Sequence, residues 1–259
     1  DPRELPEEAR PFVSVVEHLR GQGYAVIGVD VEIRSQIPPG AGLGSSAASA
    51  AAFALAYTHL HGDTLSKAGL FSVSLEAEKI AHGKPSGIDP MISVNGGWIA
   101  YRRGSGARRV NVRESPGHYF IVAYTGVRRK TGPIVEEVLA LAEKRWSILK
   151  HVYEAANEVS ERALRALEAG DYDTVGELMN ISQGLLNTIG VSSLELERLV
   201  NIARLSGAVG AKLTGAGRGG SIIVLAPRGA TRVIDELRRA SPWVSIVTLG
   251  DEGARIDVE

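Results

Sequence analysis

The sequence predicts an α+β protein of two domains, and three observations carry that prediction. A glycine loop at 38–48 runs straight into an Ala-rich helical stretch. A second glycine segment at 212–220 lies between two apolar runs that read as strands. At Ser115 the patterning changes from a mixture of short elements to a strand followed by four long helical periods. The domains are therefore drawn as 1–113 and 114–259.

In the first domain a helix and a strand near 26–33 precede the loop. Pro39, Gly40, Ala41, Gly42, Leu43 and Gly44 form that loop. Its glycines let backbone N–H groups face an anion closely, and the helix that follows adds the positive end of its dipole. Ser45 and Ser46 stand where the helix begins, a place where a hydroxyl caps the helix, ligates a metal, or does both. The helix is expected over 46–61, with Ala50, Phe53, Ala54 and Leu60 carrying it and Gly62 ending it. Read alone, the same pattern is also a tight turn into a buried helix.

A second helix is expected over 66–82, ending at Gly83. Glu78, in its last turns, opposes the helix dipole, so local stability does not explain it. Mg²⁺ would, since it takes a few hard oxygen ligands plus phosphate oxygens; a solvated helix face is the alternative. Asp89 lies in the Pro/Gly loop behind that helix, free to accept a proton from a substrate hydroxyl. Strands at 97–102 and 108–112, joined by a turn at 103–106, close the domain.

The second domain reads as a strand at 119–124, helices at 133–146, 148–168, 172–189 and 194–205, strands at 208–213 and 221–226, a helix at 231–239 and a strand at 244–249. Ile148, Val152, Ala155, Val159, Ala163 and Leu167 mark one face of the longest helix. Gly170, Gly190 and Gly207 close three helices as C-cap glycines. The segment at 212–220 includes Gly215, Ala216, Gly217, Arg218, Gly219 and Gly220. A hairpin needs about two or three residues with positive φ. The excess points to close approach, either to a ligand or to the first loop.

Together these segments resemble the GHMP kinases. The tract from Glu78 to Asp89, E-K-I-A-H-G-K-P-S-G-I-D, is similar to the mevalonate kinases among them. So are Met179-Asn180 through Gln183-Gly184-Leu185-Leu186, and Gly190-Val191-Ser192. The resemblance spans about 25–220. It implies a ribosomal-protein-S5-domain-2-like first domain and a ferredoxin-like α+β second domain, with the active site in the cleft between them. It also implies ATP as donor, Mg²⁺, and phosphorylation of the C5 hydroxyl of mevalonate for isoprenoid synthesis.

By the same resemblance, Ser46 and Glu78 ligate Mg²⁺ and Asp89 is the catalytic carboxylate beside the acceptor hydroxyl. Amides of Gly42, Leu43, Gly44 and Ser45 hold the triphosphate, with Pro39, Gly40 and Ala41 completing that loop. Gly215, Ala216 and Gly217 border the nucleotide, and Thr131 and Gly217 approach the acceptor; for Thr131, capping the following helix is an equal reading. A phosphomevalonate or mevalonate 3-kinase is the nearest rival, with Lys84 or Arg129 meeting an extra phosphate. A non-catalytic GHMP-like binding protein is the rival from another class. Two departures stand out. The family's opening P-x-K-V-x-L-x-G-E-H motif has no match, which places residue 1 in mid-domain and is expected to leave the strand near 26–33 without its neighbour. Arg218 stands where the family usually has Gly or a bulky residue, and a solvated side chain is expected there.

Composition fits an enzyme acting on a small molecule. At 259 residues and 44% hydrophobic content the chain can bury two cores. A net charge of −1 gives no electrostatic case for nucleic acid or an anionic membrane. No apolar run of about 18 residues and no leader is found, so a cytoplasmic location is expected, with a homodimer left open. Zero Cys excludes disulfides and thiolate chemistry, and the six His lack metal-ligand spacing. Arg outnumbers Lys and Gln is scarce, a thermophile's trend.

Overall fold

A computed structural model describes residues 9–82, 85–102, 106–129 and 131–257. The chain divides into two units: Asp1–Gln36, Gly44–Arg109 and Gly250–Glu259 form the first, Ile37–Leu43 and Val110–Leu249 the second. A single cut in the sequence cannot express either excursion, because the glycine loop is shared between units and the C-terminal segment returns to the first.

The first unit holds α1 (Arg10–Gly21), α2 (Ser45–Leu60), α3 (Lys67–His82), α4 (Ile88–Asn95) and an antiparallel hairpin of β1 (Ile99–Arg102) and β2 (Gly106–Arg109). Residues 103–105 of the expected turn, and Gly83 at the expected helix end, lie outside the described residues. Ala47, Ala50, Ala51 and Ala54 are buried along α2, and their small side chains let α3 and α4 pack close to it. Val15 and Leu19 of α1, Phe53 and Tyr57 of α2, Leu70, Val73 and Ala77 of α3 and Val94 of α4 complete one core. The returning tail is fixed to the end of α4: Gly97 N–H donates to Asp251 O at 2.8 Å and Ala254 N–H to Ser93 O at 2.8 Å.

Two expectations for this unit are corrected. Residues 26–33 form no strand. They run without a ladder, anchored where Ile27 N–H donates to the Tyr57 hydroxyl at 3.0 Å, with Val26, Val31 and Ile33 exposed. Alternating β-branched residues fit a sheet, but a strand exists only as a pair, and none of the described segments pairs with this one. Asp89, in turn, lies in the first turn of α4 rather than in a loop. Gly87 (φ 87) precedes that helix and Pro90 falls within its first turn. Both residues read as breakers, yet a helix start tolerates each of them.

The second unit contains β3 (His118–Tyr124), α5 (Thr131–Lys144), α6 (Trp146–Ala169), α7 (Tyr172–Thr188), α8 (Leu194–Leu205), β4 (Gly210–Leu213), β5 (Ser221–Pro227), α9 (Thr231–Ala240) and β6 (Trp243–Val247). The sheet is antiparallel in the order β4-β5-β3-β6. Four helices fill the first crossover, and the order is that of the expected ferredoxin-like β-α-β-β-α-β arrangement. Ile121, Leu196, Leu199, Leu213, Ile222, Val224 and Leu237 are fully or almost fully buried in its core.

The tract 179–186, which resembles the family, has a structural task here. β4 is an edge strand, and α7 covers it. A Cβ on Gly210 would lie 2.4 Å from Gly176 O, so backbone meets backbone. Asn180 Oδ1 accepts from Ala211 N–H at 3.1 Å and its Nδ2 donates to Val209 O at 3.0 Å. Gln183 Oε1 accepts from Leu213 N–H at 2.8 Å. Two side-chain amides thus satisfy the edge that water or another strand would otherwise reach. They also fix the strand from which the second glycine segment emerges.

Candidate active site

In the first unit, α2, α3 and α4 pack on one another and each carries an expected residue. α2 begins after Gly44, which is left-handed (φ 70), and no side-chain hydrogen bond caps it. Neither Ser45 nor Ser46 is therefore the cap; they occupy the first two helical positions. A Cβ on Gly44 would lie 3.5 Å from Asp89 Oδ1, so the start of α2 abuts the Asp89 side chain. Asp89 is itself in the first turn of α4. Two helix N-termini thus favour negative charge where these residues meet.

Glu78 is only 4% exposed, the one buried carboxylate among the described residues. A solvated helix face is excluded. A buried carboxylate costs about several kcal/mol unless compensated. No cluster of three or more His, Asp or Glu able to hold a metal occurs among the described residues. One carboxylate and one hydroxyl suit a Mg²⁺ that takes its remaining ligands from phosphate and water.

In the second unit the two glycine segments meet. Ser221 Oγ donates to Ala41 O at 2.9 Å, seating residues 37–43 beside β5. Between the segments lies the side chain of Arg129. An added Cβ would come within 2.3 Å of its Nη2 at Gly42, 2.1 Å at Gly215, and 2.8 Å of its Nε at Gly220. Gly40 meets the stem of Arg128 in the same manner, at 2.9 Å from Cγ. The glycine excess is thereby explained: the second segment approaches the first, and both approach a guanidinium. Arg129 Nη1 donates to Thr131 Oγ1 at 3.5 Å, and Thr131 opens α5.

Sequence reasoning placed Arg129 only as an optional phosphate ligand. The signal available was its position, a cation just beyond the end of β3, but nothing local revealed three glycines from distant segments around it. Gly217 is held as glycine by packing. Its Cβ direction is filled by Val191 O at 2.0 Å, so packing against the turn before α8 requires the glycine. Arg218 is not merely solvated either; it pairs with Glu137 of α5. Lys84 and the side chain of His82 lie outside what is described.

Lys212 Nζ donates to Leu213 O at 2.8 Å, and burial pushes its pKa from 10.5 down to about 8. Between those values the unfolded chain binds a proton that the folded chain lacks, so stability rises with pH from about 8 to about 10.5. Below pH 8 the folded state carries the cost of a buried ammonium. Lys212→Met is thus expected to raise Tm at neutral pH, with a gain that shrinks as pH passes 8 and nears 10.5. Paired thermal melts across that range check it; a gain independent of pH would show that Lys212 is not desolvated.

Residues 10–97 match the GHMP kinases N terminal domain and residues 163–242 the GHMP kinases C terminal. Fold and glycine segments together define a GHMP kinase. The chain is 45% identical over 249 residues to Mevalonate kinase of Aeropyrum pernix, covering 95% of this chain and 76% of that protein. It is 38% identical over 240 residues to Mevalonate kinase of Pyrococcus furiosus, covering 89% and 70%. The crystal structure of L. major mevalonate kinase in complex with R-mevalonate aligns with a TM-score of 0.82 at 28% identity, covering 96% of this chain and 78% of that one. This chain belongs to the mevalonate kinase family of the GHMP kinases. It is a kinase, and ATP is its phosphate donor.

Proposed function

We propose that the chain transfers the γ-phosphoryl group of ATP to the C5 hydroxyl of mevalonate, with Asp89 as proton acceptor. The observation that carries this reading is the contact of Asp89 with Gly44, which sets a carboxylate beside the anion-binding start of α2. The hydroxyl oxygen bonds to the γ-phosphorus, the bond to the β,γ-bridging oxygen breaks, and the hydroxyl proton passes to Asp89. Amides of Gly42, Leu43, Gly44 and Ser45 bind phosphate oxygens. Ser46 and Glu78 would hold Mg²⁺, which neutralises phosphate charge when bound. Arg129, lying among Gly42, Gly215 and Gly220 within its own unit, meets phosphate charge at the Gly42 end of the loop, and Thr131 accepts from its guanidinium. Among the described residues no helix is long and apolar enough to cross a membrane.

The test is ADP release with mevalonate, phosphomevalonate, galactose and homoserine as acceptors, and the product's phosphorylated carbon read by NMR. Turnover with mevalonate alone, at C5, is expected. Preference for phosphomevalonate would replace the reading by its rival, and nucleotide binding without turnover would make the chain a binding protein. Ser46→Ala and Glu78→Gln are each expected to raise the Mg²⁺ needed for half-maximal rate by about tenfold or more. Mg²⁺ titrations of nucleotide affinity supply a readout apart from turnover, and unchanged requirements in both variants would remove these residues from the metal.

A further inference from the structure

Among the described residues one non-glycine has positive φ: Arg218, at φ 53. A Cβ strains that conformation, and such strain persists only where surrounding contacts impose it. Three contacts do so. Arg218 N–H donates to Val191 O at 2.7 Å, its Nε to Gly190 O at 3.1 Å, and Nη1 pairs with Glu137. The first two lie in the turn before α8 and the third on α5, so one side chain ties the glycine segment to two other elements of its unit.

The neighbours of Arg218 cannot do this. Cβ atoms on Gly217 and Gly219 would lie 2.0 Å from Val191 O and 2.8 Å from Val127 O. Apolar packing does not close the gap either. Val138 of α5, Leu186, Val191 and Ala216 line a groove of about 190 Å³ between α5, α7 and the glycine segment. α5 opens at Thr131, the acceptor for Arg129 Nη1, and Arg129 also fills the space between Gly215 and Gly220. Arg218 therefore links both walls around the Arg129 guanidinium, by a route outside the site itself.

We infer that Arg218 is a positioning residue, a latch that ties α5 to the segment 214–220 and so sets where the Arg129 guanidinium lies during phosphoryl transfer. The inference rests on the reading of Arg129 given above. It acts through geometry, since the Arg218 side chain bonds Gly190 O and Glu137.

Arg218→Gly removes the latch together with the backbone strain, and Glu137→Gln removes the ion pair while keeping Arg218. Each is expected to lower kcat by about three- to tenfold with the KM for ATP moved less than about twofold, as for an interaction made only in the transition state. The double variant should be no worse than the poorer single. In an Arg129→Met background, Arg218→Gly should leave kcat unchanged, because the group it positions is gone. A fall in Tm with kcat intact in both singles would reduce Arg218 to a structural tie. An undiminished effect in the Arg129→Met background would mean that it acts by another route. If the parent chain turns over no acceptor, the functional reading fails by itself. Hydrogen exchange then decides the latch: the Arg218 amide, bonded to Val191 O, should exchange faster in Glu137→Gln, and equal protection would overturn it.

Discussion

Asp89→Asn is expected to lower kcat by about 10²–10⁴ while the KM for ATP changes less than about threefold. The amide is nearly isosteric, so the contact with Gly44 and the first turn of α4 should survive. What is lost is the capacity to take the hydroxyl proton as the oxygen attacks phosphorus. The negative charge that both helix starts favour is lost as well, so a modest loss of Tm is expected alongside. Steady-state kinetics with mevalonate and ATP, paired with nucleotide affinity by calorimetry, separate the two effects. Near-parental kcat would make Asp89 a structural helix-start residue. A large rise in KM for ATP with kcat intact would instead assign it to nucleotide binding.

How much of this was legible in the sequence depended on whether a signal was local. The start of α2 was legible because a glycine run leading into alanines has few other uses, and the boundary fell within one residue of its place. The four antiparallel strands of the second unit were legible from apolar runs bounded by glycine. α4 was not, since Gly87 and Pro90 read as breakers and only the fold turns them into a helix start. The run 26–33 failed in the opposite way: its residues suit a strand, but pairing belongs to the partner as much as to the segment. The site divided along the same line. Glu78, Asp89 and the pair Ser45-Ser46 stood out by residue type and place, and only the resemblance chose Ser46 over Ser45. That Glu78 is buried, that Gly217 answers to Val191, and that Arg129 lies among glycines more than 80 residues distant are tertiary facts without a local trace.

That last fact yields the second large effect: Gly215→Ala is expected to mimic loss of Arg129. The new methyl would lie 2.1 Å from Arg129 Nη2 and 3.4 Å from Gly42 O, at a φ of +71. The atom struck is the far end of a flexible side chain, so the chain yields by swinging the guanidinium aside and stays folded; the left-handed backbone adds about 1–2 kcal/mol of strain. Gly217→Ala differs. Its methyl would meet the Val191 backbone carbonyl at 2.0 Å, which cannot move without the turn before α8, and unfolding or insolubility is expected. For Gly215→Ala, kcat should fall by about 10²–10³, the scale on which removal of one positioned donor to a developing charge is felt. Arg129→Met should fall by a similar amount, and the double variant by no more than the larger of the two. Additive losses would show that Gly215 and Arg129 act separately, and a fully active Gly215→Ala would show that the guanidinium has no part in the transfer.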